Sequence, residues 1–99
     1  MRELLIEKFE KNKFVVHDDT FLTGEMIYWL DDFGQFHRGG DKPAVIWSDE
    51  RKHWYKNGIM HRSGGRPASI YSNGDKHWIE NGKIIKCITK GKLYFYNNI

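Results

Sequence analysis

Five histidines, His17, His37, His53, His61 and His77, are the residues best suited to acid–base or metal chemistry. A zinc-type site calls for ligands at short spacings such as His-x-x-x-His or Cys-x-x-Cys. Neither spacing occurs, and the single cysteine, Cys87, has no partner motif. Four of the histidines come in pairs, His37 with His61 and His53 with His77, each 24 residues apart. A residue that recurs with a structural unit is spread along an array and does not converge on one point. His61 falls opposite Trp54, and its later counterpart, Ile85, is a plain hydrophobe, which marks the position as one of packing. The sequence therefore predicts no catalytic residue, no metal site and no cofactor. The enzymatic alternative is a small His-dependent nuclease, which would need the imidazoles gathered in one pocket. The adjacent acids Asp18-Asp19 and Asp31-Asp32 fall where turns are expected, and the glycine pairs open no helix that could cradle phosphate. Cys87 reads as a small buried hydrophobe.

A second group could act by display. Trp47, Tyr55, Tyr71, Arg38 and Arg62 are of the types that carry interface energy, and they are the candidate partner-binding residues. The same residues, with Lys86, could instead stack bases and neutralise phosphates. The charge is thin for that purpose. Sixteen Lys/Arg against thirteen Asp/Glu leave +3 overall, and residues 29–86 hold ten against seven. Phosphate affinity is dominated by electrostatics, so nucleic acid is the weaker reading and a protein partner the stronger.

These side chains need elements to position them. Ninety-nine residues suffice for one domain. No apolar run approaches the ~20 residues that span a bilayer, and the acids within the first eight residues argue against a secretory leader. A lone cysteine points to a reducing cytoplasm. Aromatics at 15%, with ten glycines and two prolines, favour strands and turns throughout.

The stretch from His37 to Trp54 recurs without a gap from His61 to Trp78, with His-Arg, Gly, Pro-Ala, Ile, an aromatic, Ser and Lys-His-Trp in common. Asn57-Gly58 and Asn81-Gly82 are type I′ hairpin turns. Two-residue loops there pair Lys56 with Ile59, Tyr55 with Met60, Trp54 with His61 and His53 with Arg62. The later hairpin likewise pairs Trp78 with Ile85 and His77 with Lys86. The other turn of each unit, near 49–51 and 73–75, must hold an odd number of residues for Ile46 to share a face with Trp54. That puts Ala44, Ile46, Trp54, His61, Ala68, Ile70, Trp78 and Ile85 on an expected buried face. Val45, Trp47, His53, Tyr55, Met60, Arg62, Ser69, Tyr71, His77, Ile79, Ile84 and Lys86 fall on an open one.

The expected fold is all-β: a single twisted antiparallel sheet of stacked hairpin repeats with a period of about 24 residues, able to curl into a half-barrel. Residues 1–99 form one repeat domain. Within it, 1–28 are an N-terminal cap with a degenerate repeat, 29–86 the hairpin repeats and 87–99 the C-terminal capping strands. Leu4 to Phe9 is read as a strand in preference to a short helix.

The motif Trp-x-x-Asn-Gly-x-x-His-Arg-x-x-Gly-x-x-Pro-Ala-x-Ile-Tyr-Ser-x-Gly-x-x-x-Trp resembles a hairpin repeat of tailed phages and large DNA viruses, whose usual form runs His-Arg-x-x-Gly-Pro-Ala. Residues 29–86 carry the likeness, with Asp41-Lys42 and Gly65-Arg66 inserted where Gly-Pro would be adjacent. More distantly it is similar to the MORN repeats. The resemblance implies a small viral accessory protein built as a binding surface, with an anti-defence or host-takeover role and a host protein as partner in the host cytoplasm. Sheet edges also offer a route to a homodimer.

Overall fold

The computed structural model describes residues 4–8, 12–18 and 25–96, with side chains at 12–16 and 25–96. Part of the degenerate repeat expected within 1–28, at 19–24, and the extreme ends of both caps lie outside the described residues. Eleven strands follow in chain order: β1 (Leu4–Lys8), β2 (Lys13–Asp18), β3 (Glu25–Trp29), β4 (Val45–Trp47), β5 (Lys52–His53), β6 (Tyr55–Lys56), β7 (Ile59–Met60), β8 (Ser69–Ile70), β9 (Lys76–Glu80), β10 (Lys83–Thr89) and β11 (Lys92–Phe95). Nine of them form one antiparallel sheet in the order β1-β2-β3-β4-β5-β8-β9-β10-β11, and β6 and β7 form a separate hairpin. The sheet is open: β1 and β11 stand at its two ends and it does not close into a barrel. The all-β reading, including a strand at Leu4–Lys8, holds.

Turn chemistry sets the register. Asn57 (φ 52°) with Gly58 (φ 81°), and Asn81 (φ 51°) with Gly82 (φ 80°), adopt the paired positive φ of a type I′ turn. The longer turns hold three residues each, one position earlier than the sequence suggested. Trp47 N–H donates to Arg51 C=O (2.9 Å) and Tyr71 N–H to Asp75 C=O (2.9 Å), so 48–50 and 72–74 are the loops. Asp49 and Asn73 accept the N–H two residues on, which settles each loop locally. The odd loop length survives, so Ile46 and Trp54 keep a common face.

Three expectations are overturned. His53 does not pair with Arg62; it pairs with Val45 and Ser69 within the main sheet. The cause lies at Trp54, whose N–H donates to Ala68 C=O (2.8 Å) while its C=O accepts from His61 N–H (3.0 Å). Trp54 thus bridges two ladders, and the Asn57-Gly58 hairpin swings out of the sheet. In the next unit a bulge between Ile84 and Lys86 shifts the register, so Trp78 pairs with Lys86 and His77 with Cys87. Ile85 is diverted because its C=O accepts from Tyr96 N–H (2.9 Å) on the chain's last hairpin. The core is not confined to one face either. Ala44, Trp54 and Ala68 are buried, and so is Cys87, as expected, but Val45, Ser69 and Ile79 from the face expected to be open are buried too. Ile46, Ile70, Trp78, Ile85 and His61 are only half-buried. A single sheet has no second layer to cover one side. The swung-out hairpin supplies the cover locally, where Trp54, Ala68 and Ile79 pack with Met60 and Ile70.

Candidate functional site

The duplicated polar residues carry a duplicated hydrogen-bond pattern. Asn57 N–H donates to His37 Nδ1 (3.1 Å), and Asn81 N–H donates to His61 Nδ1 (3.0 Å). Gly58 N–H reaches Phe36 C=O (2.8 Å), and Gly82 N–H reaches Met60 C=O (2.9 Å). Each Asn-Gly turn therefore docks on the outgoing strand of the hairpin before it, and the histidine caps that turn. The arginine beside each histidine acts alike. Arg38 lies over the Trp29 ring (3.6 Å) and donates to Pro43 C=O, while Arg62 lies over Trp54 (3.9 Å) and donates to Pro67 C=O. Trp54 Nε1 donates to Asp41 C=O and Trp78 Nε1 to Gly65 C=O, again one period apart. Lys86 over Trp78 (4.6 Å) completes the column. Sequence alternation had put Arg62 and Lys86 on the face away from these indoles. The break at Trp54 and the bulge at Ile85 bring them back onto the rings.

Asp41 occupies the left-handed region (φ 54°) and binds both Arg62 and Arg66. The Arg62 hydrogen bond holds its carboxyl below the ordinary 3.8, against a smaller opposing effect of burial. These groups line a hollow of about 330 Å³ between successive links. Its guanidinium groups are largely committed to carbonyls, indoles and Asp41.

The opposite face presents rings. Cross-strand neighbours run Phe14, Tyr28, Val45, His53, Ser69, His77, Cys87 and Tyr94 from β2 to β11. Residues directly opposite one another share a face, so this is one continuous row. Phe14 stacks on Tyr28 (5.3 Å, 12°), Tyr28 meets Phe36 edge-on (5.8 Å), and Phe36 leans on Tyr55 (5.1 Å). Tyr71 sits between His53 (5.7 Å) and His77 (5.3 Å). Burial, with a smaller contribution from Tyr71, raises the Tyr55 phenol above its usual value. Trp47 continues β4 beside this row, with Arg51 against its ring (4.5 Å). Between them opens a cleft of about 170 Å³, lined by Met26, Phe36, Val45, Trp47, His53, Tyr55 and Met60.

Of the five predicted partner-binding residues, the fold brings Trp47, Tyr55 and Tyr71 to this aromatic face. It does not bring Arg38 and Arg62 with them; both lie on the indole column. Sequence reading missed the cleft's other walls, Met26 and Phe36. The signal available was the stack Phe14, Tyr28, Phe36 upstream of the clear repeat.

One pair has the outline of a nucleophile and its base. Ser69 Oγ lies 2.9 Å from His53 Nδ1, but Ser69 is 1% exposed and out of reach of a substrate. Burial, then the charges of Arg51 and His77, lower the His53 pKa below 6.5. Among the described residues no three His, Cys, Asp or Glu side chains gather as metal ligands. Nor is any helix there long and apolar enough to cross a membrane.

No protein-family model matches the chain, and no curated protein or solved structure shows significant similarity to it.

Proposed function

We propose that this chain is a non-catalytic binding protein whose aromatic sheet face receives a protein partner. The observation that carries the reading is the apolar cleft beside Trp47 on a face of half-buried rings. Interface energy concentrates where an anchoring side chain fills a pocket ringed by aromatics, and methionines such as Met26 and Met60 let such a pocket adapt. The repeat's resemblance to phage and large-virus hairpins supports a small accessory protein of the host cytoplasm. In this reading it acts on a host protein in host takeover or anti-defence. Base stacking with phosphate neutralisation is disfavoured because Arg38 and Arg62 belong to the other side of the sheet.

The test is capture from bacterial lysate by immobilised wild-type protein and by a Trp47→Ala/Tyr71→Ala variant whose fold is checked by circular dichroism. The account expects a protein partner held by wild type and lost by the variant. Identical capture by both baits, or elution of nucleic acid in place of protein, would reject it.

A further inference from the structure

Among the described residues, the last strand pairs with β10 alone and ends the sheet. Tyr96 N–H donates to Ile85 C=O, and strand alternation then turns the main-chain groups of Lys92 and Tyr94 towards β10 as well. The N–H and C=O of Leu93 and Phe95 point the other way, off the edge. Their side chains are exposed too: Leu93 53%, Tyr94 46%, Phe95 74% and Tyr96 51%. Natural edges are usually blunted by charge, proline or a bulge. From Lys92 to Tyr96 the sole charge is Lys92, there is no proline, and the pairing with β10 is regular from Lys86 to Thr89.

We propose that β11 pairs antiparallel with β11 of a second copy of this chain, about a two-fold axis at Tyr94. This goes beyond the partner-binding reading and does not depend on it. In that register Leu93 faces Phe95 of the second copy, and the two exchange both main-chain hydrogen bonds. Symmetry repeats the pair, giving four bonds in all. Tyr94 faces its own copy in the close, non-hydrogen-bonded position, and Lys92 faces Tyr96. No like charges oppose each other, and the one cation meets an aromatic ring. The contact is isologous and closes at two subunits. A β11-to-β1 contact is head-to-tail and would run on into a polymer. Because the axis stands perpendicular to the sheet, both aromatic faces emerge on the same side, as a bivalent surface.

Sedimentation velocity across micromolar to millimolar concentrations tests the pairing, with wild type expected to shift to twice the 11.8 kDa chain mass. Leu93→Pro removes an N–H that β10 does not use, so it should abolish the dimer while leaving the circular dichroism unchanged. Should that variant fail to fold, Tyr94→Cys in a Cys87→Ser background decides. Under mild oxidant it should cross-link to a disulfide dimer, since the two-fold places these α-carbons within disulfide reach. Phe33→Cys, on an 88% exposed loop residue, serves as the control for random collision. A wild-type monomer at every concentration, a ladder of larger species, or no more cross-linking at 94 than at 33 would overturn the proposal.

Discussion

At the scale of residues, the repeated side chains are joints. His37 and His61 each accept one turn N–H, and Arg38 and Arg62 each bind one indole and one carbonyl. That duplication was legible as a 24-residue period, but the partner of each residue was not. Arg62 lies on Trp54 because the strand breaks there, and no alternation rule anticipates a break. His53 belongs to neither joint. It is half-buried beside Ser69, and burial favours its neutral ring. With the folded pKa below the unfolded value of 6.5, the unfolded chain takes up the proton first on acidification. Stability contributed by the neutral ring is therefore complete above pH 6.5. It is lost as pH falls from there towards the folded pKa. Chemical denaturation across that window should show wild type losing stability on acidification, and His53→Gln losing less. Equal slopes would remove His53 from the account.

At the scale of elements, the Asn-Gly turns do more than reverse the chain. A Cβ at Gly58 would meet Gln35 Cβ at 3.2 Å, and one at Gly82 would meet Ile59 Cγ2 at 3.3 Å, again the same contact one period on. Gly91 has a similar φ (75°) but open space around it. Left-handed backbone costs an L-residue roughly 1–2 kcal/mol. Gly91→Ala should lose about that much in thermal or urea unfolding. Gly82→Ala should lose more, because Ile59 must also give way. Equal losses would mean the turn does not press on the preceding hairpin. The hairpins, the parity of their loops and the strand at 4–8 could be read from Asn-Gly, Asn73-Gly74 and the apolar spacing. The bulge at Ile85 could not, since its cause, the Tyr96 N–H, arrives from eleven residues further along the chain.

At the scale of the whole molecule, a single open sheet divides its labour between two faces. Indoles, guanidinium groups and Asp41 lock successive units together on one side. On the other, rings run from Phe14 to His77, and Phe36, Trp47 and Tyr55 among them line a cleft that no described side chain fills. The sequence showed that aromatics would be displayed, and named Trp47, Tyr55 and Tyr71. It could not separate the two faces, because the swung-out β6–β7 hairpin draws core residues from both. This division rests on the histidines being structural, and one long-range 1H–15N imidazole spectrum of the intact protein reads them all together. At alkaline pH the account predicts that His37 and His61 share a single tautomer, with the proton on Nε2 and Nδ1 accepting the Asn57 and Asn81 N–H groups. Rings averaging freely between tautomers, or carrying the proton on Nδ1, would contradict it.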